Sequence, residues 1–297
     1  HFSGDIYAIP EGSVIFPKEP LLKVVAPIME AQLVETAILN IINHQSLIAT
    51  KASRVVFAAA GDGIMEFGLR RAQGPDAGLY GARAAVIGGC VGTSNVLAGK
   101  LFDVPVLGTH AHSWIMSFPD EYTAFKAYAD LYPDNCTLLV DTYDTLKSGV
   151  PNAIRVFQEM RDAGVKLTRY GIRLDSGDLA YLSKKARKML DEAGFEDATI
   201  AASNDLDEYL LHDLKIQGAA ITSWGVGTNL ITSKDCPSFG GVYKLAAIKT
   251  EDGEFVPKIK LSENTEKITN PGNKTIYRIY DKATGKIRAD LICFEIG

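Results

Sequence analysis

The middle of the chain alternates short apolar runs with longer segments in which apolar residues recur every three or four positions. The short runs have the length and composition of buried strands, and they are 64–67, 91–93, 104–107, 137–140, 171–174, 199–202 and 219–222. The longer segments predict helices over 76–87, 120–131, 150–163, 179–193 and 206–215. Repeated strand–helix units predict a parallel sheet covered by helices, and six to seven strands favour an irregular (β/α) barrel over an open sheet.

Both ends of the chain show a different pattern. Residues 1–27 contain short β-type runs interrupted by proline and glycine, and 28–47 have helical spacing. After residue 235, strand-like runs return at 241–248, 256–260, 275–280 and 287–294. We therefore expect an α/β protein in which 1–49 and 236–297 form one split, β-rich α/β domain and 50–235 form the barrel.

Composition excludes several classes of protein. The net charge of −5 over 297 residues argues against a nucleic-acid or anionic-membrane partner. No apolar run is long enough to predict a membrane span. The four cysteines are far apart and form no CxxC pair, which predicts reduced thiols, a cytoplasmic location and no zinc site. They are Cys90, Cys136, Cys236 and Cys293.

Polar or glycine residues follow nearly every predicted strand. Because a barrel gathers the carboxyl ends of its strands at one mouth, we expect these residues to form one site. In chain order they are Glu66, Phe67, Arg70 and Arg71; Thr109, His110 and His112; Asp141; Arg173 and Asp175; Ser203, Asn204 and Asp205; and Gly225, Gly227 and Thr228.

Two of these groups point to an anion. Gly225, Gly227 and Thr228 form a predicted turn before a helix, where free backbone N–H groups could bind phosphate, although a plain helix cap is the alternative. Arg173 and Asp175 lie two residues apart on one strand end and face the same way. The arginine could hold a carboxylate or phosphate and the aspartate a ribose diol, or the two could form an internal salt bridge.

Two further groups leave alternatives open. Arg70 and Arg71 beside Phe67 suggest an anion site next to an aromatic ring, or simply solvated arginines. His112 could be a general base, a metal ligand, a nucleophile or a buried structural histidine. Asp141, on the neighbouring strand end, could select the tautomer of His112 and raise its basicity, as a histidine nucleophile requires.

Six motifs in this order resemble nicotinate phosphoribosyltransferase over nearly the whole chain. They are EFGLRRAQGPDAG, GTHAHSW, VDTYDTLKSG, RLDSGDL, ASNDLDE and GVGTNL. The resemblance implies a type II phosphoribosyltransferase-like barrel and a ligase-type, ATP-hydrolysing enzyme. Such an enzyme converts nicotinate and phosphoribosyl pyrophosphate to nicotinate mononucleotide and pyrophosphate, in NAD biosynthesis. It also implies Mg²⁺, ATP as a substrate, and a homodimer with the active site shared across the interface.

The resemblance also implies roles for individual residues. The phosphohistidine of the family corresponds to His112, with Thr109 near the nicotinate, Arg173 on the fifth strand and Thr228 in the phosphate loop. By similarity to the related nicotinamide enzyme, Phe67 stacks on the pyridine ring. In the same way, Arg70 faces a phosphate or the nicotinate carboxylate, Asp175 holds ribose and Asp141 orients His112. Asn204, Asp205, Gly225 and Gly227 complete the expected substrate site.

Two other interpretations of the chain are open, and the first rests on a departure from the family. The chain begins at His1 and not at Met, and it stops at Gly297 just after a strand-like run, so we expect both ends to be trimmed. It also has no DLYQLTM-like segment, whose tyrosine reaches the pyridine pocket in the family. A truncated, non-catalytic relative is therefore one alternative. The other is a metal-dependent barrel hydrolase with His110 and His112 as ligands, although the only later histidine, His212, lies in a helix-like run.

Overall fold

The computed structural model describes residues 1–261, 263 and 268–295. The chain divides into two compact units, one made of residues 1–43 and 240–297 and the other of residues 44–239. The boundaries predicted from the sequence lie at 49/50 and 235/236. No helix of the described residues is both long and apolar enough to cross a membrane.

Among its described residues, the first unit contains three antiparallel strand pairs. β1 (Asp5–Ala8) pairs with β2 (Leu22–Val25), and α1 (Ile28–Leu33) and the start of α2 (Glu35–Ala59) follow. The other pairs are β9 (Ala247–Lys249) with β10 (Phe255–Pro257) and β11 (Lys274–Tyr280) with β12 (Ile287–Phe294).

Side-chain contacts join the two ends of the chain within this unit. Lys23 Nζ lies 2.7 Å from Glu295 Oε2 and 2.9 Å from Asn273 Oδ1. Arg278 pairs with Asp290 and also donates to the carbonyl of Val14 at 2.6 Å. The ends are therefore linked by polar contacts, while β1–β2 and the later strand pairs stay separate sheets.

The second unit is a chain of strand–helix units. Its strands are β3 (Gly63–Glu66), β4 (Gly92–Thr93), β5 (Cys136–Leu139), β6 (Tyr170–Leu174), β7 (Thr199–Ala202) and β8 (Ser223–Val226). After the end of α2, its helices are α3 (Pro75–Ile87), α4 (Val96–Phe102), α5 (His112–Met116), α6 (Glu121–Leu131), α7 (Val150–Asp162), α8 (Leu179–Glu192), α9 (Glu208–Ile216) and α10 (Thr228–Ile231). A 3₁₀ turn (Leu69–Arg71) and a π-helical turn (Thr145–Gly149) complete it.

The six strands form one parallel sheet in the order β4-β3-β8-β7-β6-β5. The sheet curls into a half-barrel, and the predicted fold class is confirmed. Most residues of these strands are buried, as expected for a parallel sheet that is covered on both faces. The helices present one apolar stripe to it: in α7, Val150, Ala153, Val156, Phe157 and Met160 are buried at spacings of three and four.

The segment 104–112 spans the gap between the edge strands β4 and β5. Val106 forms a parallel bridge with Thr93, and the ring Nε2 of His110 accepts a hydrogen bond from the backbone N–H of Leu139 at 3.2 Å. The sequence predicts a buried strand over 104–107, which is wrong: Val106 is 47 % exposed and makes only an isolated bridge. Pro105 has no N–H to donate, so a regular ladder cannot form there.

Four other predicted elements differ from the structure, and the first is the strand predicted over 256–260, which is formed only over Phe255–Pro257. The helix predicted over 28–47 is divided at Val34, and its second part continues to Ala59. The strand predicted over 219–222 lies four residues later, at β8, where Trp224 is fully buried and donates from Nε1 to Asp62 at 2.9 Å. The strand predicted over 241–248 is formed only from Ala247 onward.

Candidate functional site

Arg173, at the carboxyl end of β6, is the centre of a polar network. Its Nη1 donates to Thr109 Oγ1 at 2.7 Å, its Nε to Ser203 Oγ at 2.9 Å and its Nη2 to Asp175 Oδ1 at 3.0 Å. The side chain is 16 % exposed. Because a guanidinium carries five N–H donors, this geometry leaves two of them for a ligand.

Asp175 connects this network to a second carboxylate. Its side chain accepts from Arg173 and from the hydroxyl of Ser203, and its backbone N–H donates to Asp141 Oδ2 at 2.9 Å. Ser176 Oγ donates to the same Asp141 oxygen at 2.6 Å. The ends of β5 and β6 are thereby joined through side chains as well as through the sheet.

Asp141 also holds His112, the first residue of α5. Its Oδ1 lies 3.1 Å from His112 Nε2, and the carboxylate is 1 % exposed. A carboxylate accepts only, so the imidazole proton lies on Nε2 and the Nδ1 lone pair is left available. With 39 % of the side chain exposed, His112 is accessible to a reactant.

Phe67 follows β3 and forms the aromatic side of the site. Its backbone N–H donates to the carbonyl of Val226 at 2.8 Å, which extends the pairing of β3 with β8. The guanidinium of Arg173 lies 5.7 Å from the centre of the Phe67 ring. A planar ring and a cation at this separation make a suitable surface for an aromatic anion.

The predicted glycine-rich turn at 225–228 is wrong in its placement. Gly225 lies inside β8 and is buried, so it does not belong to a turn. Gly227 precedes α10, and Thr228 is its half-buried first residue. The glycine at 225 is required for packing, because a Cβ there would lie 2.5 Å from Cδ2 of Phe67.

Three other predicted residues lie on nearby loops outside the Arg173 network. Asn204 and Asp205 follow β7, are exposed, and have φ values of 102° and 46°. The side chain of Asn229, in α10, donates to the carbonyl of Asp205 at 2.8 Å, which holds this loop beside Thr228. Arg70 is exposed on the 3₁₀ turn after Phe67.

The network also includes two serines: Ser203, which the sequence places among the strand-end residues but without a role, and Ser176, which the sequence does not single out. Ser203 bridges Arg173 and Asp175, and Ser176 donates to Asp141. Both lie inside motifs, ASND and RLDSGD, but a serine alone gives no signal that separates a network member from a turn residue.

His110 is a buried structural residue. Its Nε2 accepts from Leu139, and its ring packs against Tyr128 at 4.6 Å and Phe125 at 6.2 Å between ring centres. Burial lowers the pKa of His110 to about 4. This nitrogen cannot bind a metal while it accepts an N–H. Within the described ranges, no group of three or more His, Cys, Asp or Glu side chains is arranged to hold a metal ion.

Comparison with known proteins identifies relatives whose similarity covers all the residues of this site. The family model "Nicotinate phosphoribosyltransferase (NAPRTase) family" matches residues 63–277, and the model of the NAPRTase N-terminal domain matches residues 1–43. Nicotinate phosphoribosyltransferase of Bacillus subtilis (strain 168) is 57 % identical over 286 residues, which cover 96 % of this chain and 57 % of the relative. The chain spans about half the length of the curated relatives it matches.

Solved structures show the same fold. The crystal structure of human nicotinic acid phosphoribosyltransferase matches with a TM-score of 0.80 at 32 % identity, over 99 % of this chain and 64 % of that chain. Nicotinate-nucleotide pyrophosphorylase from Pyrococcus furiosus matches with a TM-score of 0.76 at 25 % identity, over 99 % of this chain and 69 % of that chain.

Proposed function

The chain belongs to the nicotinate phosphoribosyltransferase family, and on that premise we propose that it transfers phosphoribosyl from phosphoribosyl pyrophosphate to nicotinate. The products are nicotinate mononucleotide and pyrophosphate, and the reaction supplies NAD biosynthesis. The observation that carries this proposal is the continuous network from Phe67 through Arg173, Asp175 and Asp141 to His112.

The network offers separate groups for the two substrates. The pyridine ring stacks on Phe67, and its carboxylate pairs with the remaining donors of Arg173 or with Arg70. Asp175 accepts from the ribose hydroxyls, while Thr228 and the loop at Asn204 and Asp205 lie where the phosphate binds. As the bond from the ribose anomeric carbon to pyrophosphate breaks, positive charge develops on the sugar, and catalysis consists mainly of positioning and charge stabilisation.

ATP reacts with the imidazole of His112. With Nε2 held by Asp141, the nucleophile is Nδ1: a bond from Nδ1 to the γ-phosphorus forms as the bond to the β,γ-bridging oxygen breaks, and ADP leaves. Water later releases the phosphoryl group as inorganic phosphate. The phosphohistidine adds negative charge and acceptor oxygens at the mouth, which favours binding of the magnesium complex of phosphoribosyl pyrophosphate.

The residues at the mouth fit a magnesium ion that is held mainly by its substrate. Mg²⁺ commonly binds through one or two carboxylates together with phosphates and water. Asp175 is 27 % exposed, and its second carboxylate oxygen, which Arg173 does not use and which accepts from the ribose hydroxyls, is also the oxygen that would hold the metal. The bound ion would neutralise charge on the pyrophosphate group.

We also propose that the enzyme is a cytoplasmic homodimer. Support for a partner comes from the apolar face on and beside α4, where Val96 is 70 %, Leu97 53 %, Leu101 56 % and Val106 47 % exposed. Exposed apolar patches of this kind mark association surfaces. The four free cysteines support a reducing location.

The test is product formation by the purified chain from nicotinate and phosphoribosyl pyrophosphate, with and without ATP, and with nicotinamide as the control base. The expected result is nicotinate mononucleotide formation that rises with ATP, and little product from nicotinamide. If phosphoribosyl pyrophosphate raised the melting temperature but neither base gave product, the chain would be a non-catalytic relative that only binds. Zinc-dependent hydrolysis by the same preparation would favour the hydrolase alternative.

A further inference from the structure

Glu66 is a fully buried carboxylate at the end of β3, directly before Phe67. One of its oxygens accepts from the backbone N–H of Gly68, and the other accepts from Thr93 Oγ1 at 2.6 Å. Burying a charged group is costly unless it is fully hydrogen-bonded, so both donors are needed to keep it there. Glu66 therefore ties the residue after Phe67 to the end of β4.

The contact at Thr93 continues into the neighbouring helices. Thr93 Oγ1 accepts from the backbone N–H of Asn95 at 3.0 Å. The hydroxyl proton of Thr93 is donated to Glu66. Asn95 caps α4 by accepting from Ala98 at 3.1 Å, and its side-chain amide donates to Gly78 in α3 at 3.2 Å. A continuous series of hydrogen bonds therefore connects the Glu66 carboxylate to α4 and α3.

The backbone around Phe67 has little freedom to move. Its own N–H is bound to Val226, and the next N–H is bound to Glu66. A Cβ on Gly68 would lie 2.4 Å from Cβ of Ile231 and 2.9 Å from Oε1 of Glu66. The hydrogen bond from the Gly68 N–H to Glu66 is a side-chain contact that restrains the backbone directly after Phe67.

We propose that Glu66 is a positioning residue that sets the place of the Phe67 ring in the mouth, and through it the affinity for an aromatic heterocyclic carboxylate. This inference rests on the proposed function, because it assigns the ring to the pyridine substrate. Desolvation raises the pKa of Glu66, while the donors from Thr93 and Gly68 oppose that shift. The carboxylate makes no contact with Arg173, so it acts through Phe67 and not on the reacting atoms.

The test compares Glu66→Met, which keeps an unbranched side chain of similar length but removes both acceptors, with Glu66→Gln, which keeps an oxygen for the Gly68 N–H. Glu66→Met should raise KM for nicotinate about tenfold, with kcat and KM for phosphoribosyl pyrophosphate within about twofold of wild type. Glu66→Gln should recover most of the nicotinate affinity. Glu121→Met, which removes another buried carboxylate, is the matched control and should lower stability without changing KM for nicotinate.

Hydrogen exchange at the Gly68 amide provides a readout that needs no turnover. It should be at least about tenfold faster in Glu66→Met and close to wild type in Glu66→Gln, because exchange follows the loss of the acceptor. Parallel changes in both KM values and in stability, shared with Glu121→Met, would mean a merely structural role and overturn the proposal. A wild-type chain without product would refute the proposed function instead; unchanged Gly68 exchange in Glu66→Met would then still overturn this inference.

Discussion

The ring of Phe67 occupies the space that a side chain on Gly225 would need. A Cβ at position 225 would lie 2.5 Å from Cδ2 and 2.7 Å from Cε2 of the ring. These residues are 158 positions apart by number and meet because β3 and β8 are neighbours in the sheet. The glycine thus determines how deep the aromatic surface of the site can lie.

Gly225→Ala should therefore displace Phe67 and impair use of nicotinate. Overpacking of this kind costs about 1–3 kcal/mol of folding stability, and we expect about a tenfold loss of kcat/KM for nicotinate. Gly240→Ala is the control, because a Cβ there meets nothing within 4 Å. Kinetics and thermal unfolding of both variants would check this, and an unchanged KM for nicotinate in Gly225→Ala would contradict it.

Removal of the His112 imidazole should abolish ATP coupling and leave the basal transfer reaction. His112→Ala should incorporate no phosphate from γ-labelled ATP and show no rise in rate with ATP. Asp141→Asn should reduce phosphate incorporation at least about tenfold, because the amide cannot hold the Nε2–H tautomer in the same way. Label found at another residue in His112→Ala would disprove the assignment.

Lysine should not replace arginine at position 173. A single ammonium cannot reach Thr109, Ser203 and Asp175 together in the planar arrangement that the guanidinium makes. Arg173→Lys should lower kcat/KM by about a hundredfold. The exposed Arg155→Lys serves as the control, and its steady-state kinetics should match wild type. A kcat/KM of Arg173→Lys close to that of wild type would show that the site functions without the guanidinium.

The buried His110 should make folding stability depend on pH between about 6.5 and 4. Its pKa is about 4 in the folded protein, against an ordinary value of 6.5. The unfolded chain therefore binds the proton first as pH falls, so this group costs stability progressively through that window, up to about 3 kcal/mol. Above pH 6.5 the cost is absent.

Urea unfolding of wild type and His110→Gln at pH 7 and pH 4.5 isolates the contribution of His110 to the free energy of unfolding. The glutamine oxygen can still accept from Leu139, and all other titrating groups are common to both proteins. We expect wild type to lose more stability than the variant between the two pH values. Equal losses would mean that His110 does not control acid stability.

Lys51 should contribute strongly to stability, because its buried ammonium pairs with two carboxylates. Its side chain is 4 % exposed, and its Nζ lies 2.6 Å from Glu208 and 2.5 Å from Asp235. Lys51→Ala leaves the buried carboxylate of Glu208 without its cation, which typically costs about 3–5 kcal/mol. The exposed pair of Lys126 and Asp130 is the comparison, since Lys126→Ala should cost less than about 1 kcal/mol. Urea midpoints of the two variants would check the difference.

The sequence by itself determined the class of fold and most element positions in the second unit. Helices α6 to α9 lie close to their predicted ranges because an amphipathic stripe is a local signal, and α6, α8 and α9 also begin at an N-cap aspartate. Asp120, Asp178 and Asp207 each accept from a backbone N–H in the first turn of their helix. The order of the six motifs likewise predicted the family, because their combination is specific even though no single motif is.

Only the tertiary structure decided which of these residues meet. Arg173 contacts Thr109 from 64 positions away, and β8 lies four residues beyond its predicted run. The roles of Ser203, Glu66 and Gly225 are invisible locally, because a hydrogen bond or a close approach depends on strand register and on the curl of the sheet. Sequence patterns encode backbone preference and burial, whereas the pairing of one strand with another is set only when the whole sheet has assembled around its core.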